Sequence, residues 1–393
     1  MRLLILQSLF FFGCSLINAQ QTANYVNNWH FGTNSALSFN SGSAINLPSS
    51  IAGNEAMSTY SDGQGNVLFY SSANQLWDAT NTMMPNGATS GDISSSCGTT
   101  ICRVPGKCNQ YYVFYIEHGA GGVGLNNSLH YSLVDMSLPG NGTMVSPLGD
   151  IVAGQKDILL YNADNLGEKI LIVQQGNTEN YWLIARSNTV ETFYSFEVTS
   201  SGINTTPIPS IVSLVPYPPA PLPFSGNVQT FLGWLAINRD RDIIGEANGV
   251  YPDVRVYDFN NLTGILSNQE IILGGLNYVW DIPYGLAFSE SGNSLYVGWS
   301  SSPGLKLFSS FDVTGGVGTV GSTISDYDIS AQMTGSSDVP RAVVLGRDGK
   351  IYFGWGGTTN PQNQLGVIND PDNLAVPNII VNGYTVTNTA ELG

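Results

Sequence analysis

The sequence predicts an all-β protein assembled from repeated short antiparallel strands, and three observations carry that expectation. The first is composition. Of 393 residues, 45 are Gly, 19 Tyr, 16 Phe and 7 Trp, while only 11% are charged, against about a quarter in an average soluble domain. A chain poor in Lys, Glu and Ala and rich in Gly, Asn, Ser and Thr is ill suited to helix. The second is periodicity: beyond residue 24 no window sustains apolar positions at i, i+3, i+4 and i+7. Short alternating runs are cut instead by Gly, Asn and Asp turns. The third is repetition, set out below. Charge adds an exclusion. With 13 Lys+Arg against 29 Asp+Glu the net charge is −16, a surface that repels nucleic-acid phosphate. Disorder is excluded by the aromatic content.

Along the chain, residues 1–19 read as a secretory signal, one charge at Arg2, an apolar run from Leu3 to Ile17, and a small-residue end at Ala19. Lipid attachment at Cys14 is the alternative; it lacks an aliphatic residue three positions earlier. No other stretch is long and apolar enough to span a membrane. The mature chain, 20–393, reads as one domain.

Two pieces then recur. A polar turn opens onto an apolar strand at Gly65–Tyr70, Gly106–Tyr115, Ser291–Trp299 and Asp348–Trp355, the last two ending in Gly-Trp. A second strand follows at His130–Asp135, Phe193–Val198, Val254–Phe259 and Leu307–Val313, with small polar turns after several of them. Each unit is strand, turn, strand, loop, strand, turn, strand, which is a four-stranded antiparallel blade. Repeats of this size fit a β-propeller. Turns near Gly65, Gly106, Gly167, Asp242, Gly292 and Gly349 give six units. A seventh is assembled from Trp29–Phe39 and Ala44–Leu47 with Asn378–Val381 and Tyr384–Thr387 around an Asn382-Gly383 turn. The ring is thus closed by strands from both termini, which removes exposed sheet edges. Seven blades are expected; six or eight also satisfy the spacing.

After removal of the signal, Cys97, Cys102 and Cys108 remain. A Cys102–Cys108 disulfide across the intervening turn is expected, with Cys97–Cys102 the alternative pairing. Three cysteines without a nearby histidine do not make a zinc site.

Taken in order, Asn28–Gly32 through Leu37–Phe39, Gln75–Asp78 through Met84–Gly87, Tyr131–Met136, Phe193–Ile203 and Tyr284–Ser289 resemble the propeller-like N-terminal region of large Bacteroidetes surface proteins of the gliding-motility-associated and adhesin type. Proteins of that type often continue into immunoglobulin-like repeats and a C-terminal sorting domain, neither of which is in these 393 residues. The resemblance implies an interaction or adhesion module outside the cell or at its surface, and it carries over no catalytic residues.

Catalytic motifs are few. Gly-x-Gly-x-x-Gly occurs at Gly119–Gly124 and Gly316–Gly321, but strand-like segments follow both, where a nucleotide site needs a helix N-terminus. Of the histidines His30, His118 and His130, His118 is the most site-like, following Glu117 before a Gly-rich loop. The spaced pairs Asp240/Asp242, Asp326/Asp328 and Asp370/Asp372 could ligate calcium with intervening carbonyls; turn-forming, solvated aspartates are the competing reading. Trp77 and Trp280, beside polar groups, could stack on a sugar ring, whereas Trp299 and Trp355 sit at equivalent repeat positions and read as inter-blade packing. Two functions follow: an exported, non-enzymatic propeller binding a protein or glycan, or a carbohydrate-active propeller, hydrolase or lyase, with carboxylates in its central channel.

Overall fold

The computed structural model describes residues 27–53, 55–119, 126–212, 232–248, 253–273, 282–300, 306–323, 325–332, 340–355 and 363–388. The N-terminal leader with Cys14, Trp280, and the Gly-rich run after Gly119 lie outside these residues.

Seven antiparallel sheets succeed one another along the chain as the blades of a propeller. The first holds β1 (Asn28–Phe31), β2 (Ser35–Ser38) and β3 (Ile45–Leu47). The second holds β4 (Ser58–Ser61), β5 (Val67–Ser71), β6 (Gln75–Asp78) and β7 (Met83–Ala88). In the third, β8 (Thr99–Arg103), β9 (Gln110–Glu117) and β10 (Ser128–Asp135) are followed by β11 (Asp150–Ile151) and β12 (Ile158–Tyr161), which share one edge of β10. The fourth repeats that device with β13 (Leu166–Gln174), β14 (Tyr181–Ser187) and β15 (Thr192–Thr199), edged by β16 (Gly202–Ile203) and β17 (Ile208–Ile211). The fifth comprises β18 (Leu235–Ile237), β19 (Ile243–Ala247), β20 (Asp253–Asn260) and β21 (Ile265–Leu273). The sixth comprises β22 (Ile282–Phe288), β23 (Ser294–Ser300), β24 (Lys306–Asp312) and β25 (Ser325–Asp328). The seventh comprises β26 (Pro340–Leu345), β27 (Ile351–Trp355), β28 (Gln364–Ile368) and β29 (Ile379–Thr385).

A blade cannot bury both faces by itself, so each packs on its neighbours. Seven hydrophobic clusters result, one in each gap of the ring. Phe308 and Phe353, ring centroids 4.5 Å apart, fill the gap between the sixth and seventh blades. Burial of each such ring contributes roughly 1.5–3 kcal/mol. Trp299 and Trp355 lie in these gaps, as their repeated position predicts, and the Trp299 indole N–H donates to the Ser309 hydroxyl at 2.9 Å.

Strands from both termini close the ring, but across two sheets rather than within one. The first sheet packs against the seventh through Trp29, Phe39, Tyr352 and Val386. Hydrogen bonds from Asn46 to the Thr385 carbonyl (3.1 Å) and from Tyr384 to the Ala44 carbonyl (3.1 Å) tie the seam. The expected Asn382-Gly383 turn is instead an irregularity inside one continuous β29. A Cβ at Gly383 would meet Val367 at 2.6 Å, so this close approach requires glycine.

Two other expectations are corrected. Gly167 lies within β13, and the turn to β14 falls at Gln175–Asn180. The Cys102–Cys108 disulfide is not formed, and no two of the three described cysteines are bonded to each other. The hairpin register sets Tyr112 opposite Cys102, which faces the core between the third and fourth blades, while Cys108 sits exposed past the turn.

Candidate functional site

The first strands of all seven blades line the central channel. Trp29, Thr59, Thr99, Ile170, Leu235, Leu286 and Val343, one from or beside each of them, surround a cavity of about 160 Å³. The wall is mostly aliphatic and aromatic, so the channel itself selects little.

One end of it differs. In the second to seventh blades, segments entering the first strand and loops joining second to third strands emerge on the same side of the ring, whereas β1 runs the opposite way, Asn28 at its start donating to the Gly65 carbonyl in the β4–β5 turn. That side collects the chemistry. Glu55 precedes β4, Asp92 to Cys97 precede β8, His118 follows β9, and Trp234 precedes β18. Glu168 and Lys169 lie near the start of β13, Tyr284 near that of β22, and Arg341 near that of β26. In these last three strands the register slips between Leu166 and Ile170, Pro283 and Leu286, and Pro340 and Val343. Such bulges re-aim side chains and gather at functional sites. Gly285, in the second, lets β22 approach β26: a Cβ there would meet the Arg341 carbonyl oxygen at 2.1 Å.

His118 is the expected candidate that the structure brings into this cluster. Its Nδ1 lies 3.0 Å from Asp92 Oδ2 and its Nε2 3.2 Å from Glu168 Oε1. The Glu168 carboxylate beside the ring raises the imidazole above its ordinary range, against the effect of burial, and Asp92 adds to the rise. An imidazole set between two carboxylates is thereby made more basic than a free one. Glu168 is fully buried and also accepts from the Ser96 N–H (3.2 Å) and hydroxyl (3.3 Å). Asp92, a third exposed, accepts from the Ser94 N–H and hydroxyl at 2.8 and 2.7 Å.

Glu55 stands beside them. Its backbone N–H donates to the Ile93 carbonyl at 3.0 Å, which fixes it next to Asp92. Its carboxyl is raised to about 7, chiefly by burial, with Glu168 and Asp92 adding to the rise while Tyr284 and Arg341 oppose it. Arg341 Nη1 is 4.0 Å from Glu55 Oε1. The arrangement supplies a carboxyl poised near neutrality, a tyrosine, and an oriented imidazole. At this end the indole N–H of Trp234, which lines the cavity, is buried and donates to nothing among the described residues; that of Trp29 is likewise unpartnered but packs toward the opposite end, against Phe39 and Tyr352.

Behind Glu168 a second charged group joins the fourth and fifth blades. Lys169 pairs with Glu246 at 2.7 Å, Arg255 with Glu191 at 2.7 Å and with Asp253 at 3.0 Å, and Arg186 with Glu191. Burial opposes its charge, yet these cations hold the Glu246 carboxyl down to about 2. Every charge has a partner, which marks this as a structural lock.

The other candidates lie away from this cluster, although His30 lines the cavity. Trp77 is buried between the first two blades, stacked on Tyr70 at 5.3 Å, so it cannot present a face to a sugar. His30 stacks on Tyr70 at 3.8 Å, and burial pushes it down to about 3, leaving it neutral. His130 lies 3.6 Å from Glu117, off the channel. The aspartate pairs serve turns and outer strands. Asp242 accepts from Asn238 at 2.8 Å, Asp326 from Ser309 at 2.6 Å, Asp328 from the Ser330 N–H at 2.8 Å and Asp372 from Ser291; Asp240 and Asp370 are exposed. Among the described residues no group of three His, Cys, Asp or Glu is placed to hold a metal ion. Nor is any helix among them long and apolar enough to cross a membrane.

Glu55, Asp92, Glu168, Tyr284, Arg341 and Trp234 carry no motif. The readable signal was Glu168-Lys169, two charges set directly before the apolar run Ile170–Val173, where charge is costly to bury without a purpose.

No protein-family model matches the sequence, and neither does any curated protein. Among solved structures the chain is similar to a periplasmic gluconolactonase of Pseudomonas aeruginosa, at 14% identity over 75% of this chain and 73% of that one, with a TM-score of 0.45. It is also similar to a protein of Lactobacillus plantarum (12% identity, 90% and 91% covered, TM-score 0.49). A third is hydrazine synthase of Kuenenia stuttgartiensis (9% identity, 85% and 80% covered, TM-score 0.49). At these identities and scores the likenesses carry no argument about what this chain does.

Proposed function

We propose that the protein is an exported propeller that acts outside the cell or at its surface as an interaction module, and that it holds a hydroxyl-rich group, the terminal sugar of a glycan, at the Glu55 end of its central channel. The leader-like residues 1–19 and the resemblance to surface proteins support export. One observation carries the ligand class: the unpartnered indole donor of Trp234 and the carboxyl of Glu55 line the same end of the channel, with Asp92 beside Glu55. A sugar offers acceptors to such donors, hydroxyl donors to such carboxylates, and an apolar ring face to indole. A cavity of about 160 Å³ suits one ring rather than a chain.

The test is a glycan array probed with residues 20–393, followed by calorimetry on the hits. Binding to a discrete set of glycan termini is expected. Trp234→Phe, which keeps an aromatic face but removes the indole donor, should weaken it about tenfold, the worth of one hydrogen bond. Absence of binding across the array, or full affinity in Trp234→Phe and Trp234→Ala alike, overturns the reading.

A further inference from the structure

We propose that the bound sugar is also cleaved: Glu55 is the general acid of a glycoside hydrolysis, and Asp92 is the carboxylate that takes the proton of the attacking water. This rests on the reading that a sugar occupies the channel end, and it goes beyond it, since binding needs no proton transfer.

The geometry is particular. Glu55 lines the cavity with its side chain a fifth exposed, so the carboxyl reaches the ligand space while staying mostly out of water. Paired Glu55 and Ala56 N–H donations to the Ile93 carbonyl, at 3.0 and 3.3 Å, hold its segment against the loop that carries Asp92. Asp92 is oriented by His118, whose other ring nitrogen is anchored on the buried Glu168. Two carboxyls with different surroundings, one raised toward neutrality by burial and one oriented by an imidazole, suit acid and base roles. Arg341, 4.0 Å away, meets the charge that Glu55 acquires when it gives up its proton.

The step balances as follows. The Glu55 proton passes to the glycosidic oxygen as the bond from that oxygen to the anomeric carbon breaks, its electron pair leaving with the oxygen. Water adds to the anomeric carbon and its proton goes to Asp92. Exchange with solvent returns one proton to Glu55 and removes one from Asp92. No oxidant, metal or second substrate enters.

The experiment uses residues 20–393 with 4-methylumbelliferyl glycopyranosides of hexoses, pentoses and uronic acids in both anomers, alongside the methyl glycoside of any sugar that is turned over. At least one is expected to be hydrolysed. Glu55→Gln should lower kcat by about 10²–10⁴-fold, and more on the methyl glycoside, whose poor leaving group depends on the acid, than on the aryl one. Asp92→Asn should lower it on both alike. Both variants should melt as single transitions, and their loss of array affinity should be much smaller than their loss of kcat. Turnover unaffected in Glu55→Gln overturns the proposal, as does array binding without hydrolysis of any glycoside, which leaves the binding function standing. Failure of both binding and hydrolysis overturns the two together.

Discussion

A carboxyl that keeps its proton when folded costs the protein stability wherever the unfolded chain has already ionised. Glu55, pushed up to about 7 chiefly by burial, is such a group. Below its ordinary range near 4.5 both states hold the proton and the residue costs nothing. Between 4.5 and 7 only the folded state holds it, so stability falls as pH rises; above 7 the loss is complete, at most about 3 kcal/mol. Glu55→Gln cannot ionise. It should therefore melt with wild-type stability near pH 4 and roughly 5 °C higher at pH 8, and an equal difference at both values would refute the account. A destabilising carboxyl kept at the channel end is what the proposed role of Glu55 would require. At this scale the sequence was readable only in part. His118 stood out because it follows Glu117 before a glycine run, yet its partners Asp92 and Glu168 lie 26 residues before it and 50 after it. Trp77 looked open beside polar neighbours because nothing local announces that Tyr70 and Ile51 cover it.

Elements show why the rest of the site escaped notice. The alternation that revealed second and third strands fails in β13, β22 and β26, where bulges break the period-two pattern. Gly167-Glu168-Lys169 consequently reads as a turn. In the structure it is the inner strand bending so that Glu168 faces His118 in one direction and Lys169 faces Glu246 in the other. Lys169, fully buried, also donates to the Leu232 and Ala247 carbonyls at 3.1 Å each. Lys169→Met removes that cation and leaves Glu246 facing only the more distant Arg186, 3.5 Å away, with Tyr257 donating to its other oxygen at 2.7 Å. A loss of about 3–5 kcal/mol is expected, the cost of a buried charge stripped of its partner. Lys169→Met combined with Glu246→Gln should recover most of it, because the double variant buries no unpaired charge. Denaturant midpoints of the single and double variants check this, and a double variant as unstable as the single would show that packing, not charge, is at stake.

For the whole molecule, blade number was legible because it depends on repetition, whereas closure depends on which sheet the ends join. Each Gly- or Asn-bearing turn recurs once per blade and needs no knowledge of distant residues. The first and last sheets meet only in three dimensions, through a cluster joining Trp29, Phe31, Leu37 and Phe39 to Tyr352, Leu365, Val367 and Val386. In a ring every blade is held by two neighbours, so opening one seam removes half the support of two blades at once. Ending the chain at Asn378 deletes β29, takes Val381 from one inter-blade core and Val386 from another, and bares the ladder of β28. An uncovered edge beside an uncovered apolar face is a template for pairing with another chain. The truncated protein should unfold at least 10 °C lower than the full chain, two buried valines alone being worth roughly 3–6 kcal/mol. By size-exclusion chromatography it should run as oligomers or aggregate where the intact protein is discrete. A monomeric truncation with unchanged melting would mean that the seam contributes nothing, and that the six remaining inter-blade cores suffice to hold the ring.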